Sequence, residues 1–195
     1  MKNKALINEI KSRRSIRKWK NKKVPKDLLK TIIDCGLSAP SAYGAQPWEI
    51  IVIEDKKIIE KLLSDRRQLK KPPYFINSAK YVDKLGKEKY EKVKPPPLMI
   101  VIAGDQKEYY GDTGGLIASL ACCGENILLA SHALGLGACW LFVRDDSMPD
   151  VEKEVKTILN IPSQHIVLGM LAVGYPDETA LNKVLKSKKI HHNTW

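Results

Sequence analysis

Three short segments of this chain hold residue types that do chemistry when gathered together. The first is Arg13-Arg14-Ser15-Ile16-Arg17, three guanidiniums around one hydroxyl where an apolar-periodic stretch ends. Arginine's planar fork matches phosphate oxygens and serine adds a short donor, so this is an anion site by composition. The same residues also describe a solvated basic helix end that complements the helix dipole. The second segment, Pro40 to Trp48, packs Ser41, Ala42, Gly44, Gln46 and Pro47 into one short connection. Small residues there let a flat group approach the backbone, although a plain helix–strand connection with Trp48 filling the core uses the same residues. The third is Lys186-Ser187-Lys188-Lys189, which alone reads as a basic tail.

Several other chemistries lack their residues. Cys35, Cys122, Cys123 and Cys139 show no C-x-x-C or Cys/His ligand spacing, and no metal site is expected. Gly135-Leu136-Gly137 lacks the third glycine of a dinucleotide fingerprint and precedes a strand instead of opening a helix. The formal charge, 33 − 22 = +11, suits anionic ligands, but lysines are scattered along the whole chain and mostly mark a solvated surface. No recognised nucleic-acid motif accompanies that charge, so no nucleic-acid partner is expected. The opening MKNKALINEIKSRR has no long apolar run, and free thiols without a secretion signal point to the cytoplasm.

The elements that must position these segments follow from periodicity. Leu6, Ile7 and Ile10 predict a helix over residues 5–14. Val24-Pro25 opens a second helix carrying Leu28, Leu29, Ile32 and Ile33, weakened at Gly36 and stopped by Pro40. WEIIVIE predicts a strand apolar on both faces and therefore central in its sheet. A helix bearing Ile58, Ile59, Leu62 and Leu63 follows. Residues 64–97, with KKPPYF, KVKPPP and three tyrosines (Tyr74, Tyr81, Tyr90), predict a lid-like insertion. LMIVIAGD is a second central strand.

The stretch from Leu116 to Leu134 is nearly all apolar, with Asp112 and Thr113 as N-cap candidates and Gly135 and Gly137 as the stop. Glu125 and Asn126 interrupt it, so it predicts a helix buried in a domain or dimer and not a membrane span. ACWLFV, a helix from Pro149, the strand IVLGMLAVGYP and a basic tail complete the chain. The order predicts one α+β or α/β domain over residues 1–195 with about four strands.

Taken in order, RRSIR, PSAYGAQPW, ALGLG, CWL, GYP and the lysines of the tail resemble the FMN-dependent nitroreductase family over most of the chain outside residues 64–97. The resemblance implies a dimeric, three-layer α/β/α α+β fold with a central mixed, mostly antiparallel sheet. It also implies that Arg13 and Ser15 hold the FMN phosphate with Lys186 and Lys188, that Arg14 lies along the ribityl chain, and that Arg17 lies near the N1/O2 edge of the flavin. A fixed cation there would stabilise the charge that reduction builds. Pro40, Ser41, Ala42, Gly44 and Gln46 would lie against the isoalloxazine from the partner subunit. Backbone groups of Leu141, Phe142 and Val143 would meet its other side. Gly44 stands where many members have asparagine, and Phe142 near where the family has a small residue.

The implied activity is hydride transfer from NAD(P)H through FMN to a nitroaromatic, quinone or similar flat electrophile by a ping-pong cycle, in a homodimer with no membrane partner. The alternatives are enone reduction, dehalogenation, dehydrogenation or flavin breakdown on the same fold. A non-catalytic flavin-binding or nucleic-acid-binding protein is a further alternative.

Overall fold

The computed structural model describes residues 4–64, 95–144, 149–180 and 190–194. Five helices of these residues run as α1 (Lys4–Ser12), α2 (Lys26–Leu37), α3 (Lys56–Ser64), α4 (Thr113–Ala133) and α5 (Pro149–Leu159). Four strands, β1 (Glu49–Ile53), β2 (Leu98–Asp105), β3 (Gly137–Phe142) and β4 (His165–Gly174), form one sheet in the order β1-β2-β4-β3. All its neighbours are antiparallel. The parallel element is a bridge between Ser15 and Ala138. The lid-like insertion lies almost wholly outside the described residues.

Alternation along the strands splits the core in two. Leu98, Ile100 and Ile102 of β2 pack with Ile32 of α2 and with Leu116, Leu120 and Ile127 of α4. Met99, Val101 and Ala103 turn the other way, onto Ile59 and Leu62 of α3 and Val151 and Val155 of α5. The result is helices on both faces of a sheet, the three-layer arrangement expected from the resemblance. A bulge at Ile102/Ala103, where Gly169 and Val167 are the successive partners, leaves Leu168 as the extra residue on β4. It reverses the faces of β4: Leu168 joins the α2/α4 side and Met170 the α3/α5 side.

Helix α4 is capped as the sequence predicts. The Asp112 carboxylate accepts from the Gly115 amide at 2.6 Å, and Gly135 leaves the helix at φ 73°. By length and composition α4 could cross a membrane, yet Leu116, Leu120, Cys123, Ile127 and Leu128 are buried against the sheet and α2. Gly36 lies in the last turn of α2, where the sequence predicts the helix to weaken, and it is buried: a Cβ there would come within 2.6 Å of Ile127, so it also permits close packing on α4.

Strand β1 corrects an expectation. It lies at the edge of the described sheet, not its centre, and its Val52 is 40% exposed. Ile50 and Ile53 face opposite core layers, which makes the strand apolar on both sides without requiring a strand beyond it.

Candidate functional site

The segment after α1 is laid onto the sheet through a close approach. The Ile16 amide donates to the Ala138 carbonyl at 3.0 Å, and the Trp19 indole N–H donates to the Gly137 carbonyl at 3.0 Å. Gly137 permits this: a Cβ there would lie 2.7 Å from Ile16 Cβ and Cγ2. The chain then crosses the sheet end to pair Trp19 with Pro176, and the Lys20 amide donates to the Tyr175 carbonyl.

This crossing gathers the basic cluster around the start of β3. Ser15 bridges to Ala138 on the backbone, next to the buried Cys139, whose Sγ donates to the Trp140 carbonyl at 3.6 Å. Burial pushes that thiol up, and Arg17, Ser15 and Arg13 oppose the shift. Arg13 also reaches Glu125 of α4, Nε to Oε1 at 3.6 Å. Arg17 Nη1 lies 3.5 Å from the Ser15 carbonyl. Arg14 donates from Nη1 to the carbonyls of Lys11 at 2.7 Å and Arg13 at 2.8 Å, where it closes the end of α1.

Glu178 completes the crossing, with Oε1 accepting the amides of both Arg17 and Lys18. No sequence motif announces that contact, which spans about 160 residues. It shows that consecutive N–H groups of this turn present themselves to an anion. Lys186 and Lys188 lie outside the described residues.

Strand β3 offers a second feature. The Val143 amide donates to the Leu168 carbonyl at 3.3 Å, so Val143 and Leu141 turn their backbone polar groups toward β4. By the same alternation Ala138, Trp140 and Phe142 face the outer edge, where Ala138 already receives the Ile16 amide. Among the three backbone positions predicted for the flavin, Phe142 is therefore the one whose amide points outward, and its side chain is 43% exposed. Leu141 and Val143 are buried.

The Pro40–Trp48 loop is held in a strained shape. Tyr43, Gly44 and Gln46 have φ of 58°, 65° and 47°. A left-handed conformation costs an ordinary residue roughly 1–2 kcal/mol, least when the side chain is short and polar, so Tyr43 is the outlier. Two serines fix the loop. Ser41 Oγ accepts the Gln46 amide at 2.9 Å, and the buried Ser119 of α4 accepts the Ala42 amide at 3.1 Å. Close approach at the other end is allowed by Gly104, where a Cβ would lie 2.7 Å from the Pro47 carbonyl. Trp48 is buried in the α2/α4 core layer, whereas Pro40, Gly44 and Gln46 are exposed and Ser41 and Ala42 half-buried. Within one chain this loop and the Arg13–Arg17 cluster are separate features.

A family model described as the nitroreductase family matches residues 10–175. The chain belongs to the nitroreductase family. An "NADPH-dependent oxidoreductase" of Staphylococcus aureus strain USA300 is 30% identical over 198 residues, covering 97% of this chain and 74% of that protein. Among solved structures, an FMN-dependent nitroreductase from Clostridium difficile R20291 is 33% identical with a TM-score of 0.75, covering 97% of this chain and 99% of the other. An iodotyrosine deiodinase bound to FMN and 3-iodo-L-tyrosine shares the fold, with TM-score 0.77 at 24% identity over 97% and 100% of the two chains.

In this nitroreductase the donor types at the β3 head, the guanidiniums of Arg13 and Arg17 and the hydroxyl of Ser15 on a glycine-dependent crossing, fit the phosphate end of FMN, although the Arg17 and Lys18 amides are already taken by Glu178. Sequence reasoning missed three contributors. Ser119 anchors the loop from α4, Glu178 orders the turn at Arg17, and Gly137 admits Ile16. Of these, only Gly137 leaves a trace in the sequence, as the second glycine of GLG, where the sequence predicts a helix stop.

Proposed function

We propose that this nitroreductase is an FMN-dependent oxidoreductase that takes reducing equivalents from NADH or NADPH and passes them to a small flat electrophile. The observation that carries the reading is the laying of the Arg13–Arg17 segment along the start of β3, through the Ser15–Ala138 bridge and the Ile16 amide on the Ala138 carbonyl, in a chain of this family. When bound, FMN supplies the redox chemistry, accepting a hydride equivalent and returning electrons to the acceptor. The protein supplies binding, orientation and charge. Arg13 and Ser15 hold the phosphate with Lys186 and Lys188. Arg17 contributes the fixed cation that stabilises negative charge built on reduction. The outward Phe142 amide is the backbone donor for the ring, and Arg14 ties the segment to α1.

The site is completed in a homodimer, with Pro40, Ser41, Ala42, Gly44 and Gln46 of one subunit against the ring held by the other. Two features support association. Leu6, Ile7 and Ile10 of α1 are 58%, 50% and 52% exposed, and a cleft of about 510 Å³ between α1, α2 and α4 is lined by Leu6, Leu129, Ala130 and Ala133. Both are the apolar surface that a second copy would cover.

The test is a visible spectrum of the purified protein followed by anaerobic NADPH or NADH. The flavin band is expected to be present, to bleach, and to return on adding a nitroaromatic or a quinone. A colourless protein that takes up no FMN refutes the proposal. Dehalogenation is the second reading, favoured by the likeness to the deiodinase fold; halide release from an iodinated phenol would select it.

A further inference from the structure

The strained loop presents an aromatic surface that the site described above does not use. Tyr43 is 79% exposed and Tyr110, just before α4, is 76% exposed, and their ring centroids lie 6.0 Å apart at 40°. Tyr110 in turn stacks beside Tyr109, centroids 6.1 Å apart and planes 18° from parallel. Tyr109 is 6% exposed and lines a cleft of about 240 Å³ with Trp48 and Tyr110, so the outer rings stand on a buried base.

Packing does not explain Tyr43. Within one chain its ring is exposed, its backbone is left-handed, and the loop is held in that shape from both sides by Ser41 and Ser119. A rigid scaffold that spends strain to hold an exposed ring in place is a feature of binding surfaces.

We propose that Tyr43 and Tyr110 form an aromatic rim that selects planar aromatic acceptors by stacking, and so act as specificity-determining residues. This rests on the oxidoreductase reading, since the same loop is the one assigned to the ring of the partner's cofactor. Stacking of this kind favours flat π-systems over saturated rings of equal size. The neighbouring cleft carries Glu49, Asp105 and Glu108, so a planar ligand with an anionic substituent at that end is disfavoured.

The experiment uses the FMN-loaded protein without reductant and two neutral probes, 4-nitrobenzyl alcohol and its ring-saturated counterpart (4-nitrocyclohexyl)methanol. Binding is measured by calorimetry on wild type, Tyr43→Ala, Tyr110→Ala and Tyr43→Phe. Wild type should favour the planar probe. Each alanine variant should weaken it by about two- to tenfold while leaving the saturated probe unchanged, and Tyr43→Phe should retain wild-type binding. In turnover, KM for the planar acceptor should rise more than kcat falls. Equal binding of both probes by wild type, or an alanine variant with unchanged planar-probe affinity, overturns the rim while leaving the oxidoreductase reading intact. Dissociation of the dimer in Tyr43→Ala overturns it too, by assigning the ring to the subunit interface. A wild-type protein that binds no FMN defeats the oxidoreductase reading itself, and the rim with it.

Discussion

Gly137→Ala places a methyl group where the basic segment meets the sheet, and its effect can be worked from the geometry. The added Cβ would sit 2.7 Å from Ile16 Cβ and Cγ2 and 2.8 Å from Cγ1. Ile16 Cβ is fixed to its own backbone, so a rotamer change cannot relieve the contact and the segment must move outward. Overpacking of this kind costs about 1–3 kcal/mol. Stretching the Ile16 amide to Ala138 carbonyl bond or the Trp19 to Gly137 carbonyl bond adds about 1 kcal/mol. The loss of unfolded-state freedom on replacing glycine returns roughly 0.5–1 kcal/mol. The net is a destabilisation of about 1–3 kcal/mol, or a Tm lower by roughly 3–9 °C in a chain of this size.

Flavin retention should suffer more than stability does, because the same outward shift lifts Ser15 off its bridge to Ala138 and spreads the anion site. The assay is a pair of melts, one following circular dichroism and one following release of flavin fluorescence. Ile16→Ala removes the Cγ contacts but keeps Cβ and is itself destabilising, so in a double-mutant cycle Gly137→Ala should cost less in the Ile16→Ala background than in wild type. A Gly137→Ala protein with wild-type melting and full flavin content would refute the reasoning.

Three further predictions follow from single contacts. Ser119→Ala removes the acceptor for the Ala42 amide and should cost about 1 kcal/mol, with a looser Pro40–Trp48 loop read as faster local amide exchange at Ala42. Burial pushes the Asp105 carboxyl up, but the Lys107 and Glu108 amides, the Gln164 side chain and the charge of His165 outweigh it, so its folded pKa is lowered. A depressed carboxyl stabilises the fold above its ordinary pKa of about 3.9 and stops doing so as pH falls through the lower folded value. The stability gap between wild type and Asp105→Asn should therefore be full at pH 7 and close below about pH 4, as read by urea melts. Burial, and then Cys122 beside it, push the Cys123 thiol up to about 11. Iodoacetamide at pH 8 should accordingly label Cys35 and Cys122 in the native protein and spare Cys123 and Cys139, as read by mass spectrometry.

Most elements were legible because each is written locally. Leu28, Leu29, Ile32 and Ile33 repeat at helical spacing, Asp112 caps α4, and Gly135 supplies the left-handed exit. Strand position within the sheet was not, since EIIVI is apolar on two faces whether or not another strand lies beyond it. The cluster residues Arg13, Ser15 and Arg17 were legible as an anion site by type. Their placement beside β3 required knowing that the segment is laid onto Ala138. Glu178 and Ser119 act on residues about 160 and 77 positions away, and neither sits in a motif. The left-handed backbone at Tyr43 was hidden for a different reason: nothing in a tyrosine's own chemistry asks for it, and it exists because two serines impose it.

The account's central claim is that a phosphate-bearing flavin is held by the cations gathered at the start of β3. FMN content of the purified protein tests it most directly, measured from the visible band against protein absorbance in wild type and in Arg13→Ala/Ser15→Ala. The account predicts stoichiometric FMN in wild type and its loss from the double variant, with melting of the apoproteins little changed. Full flavin content in the double variant would contradict it.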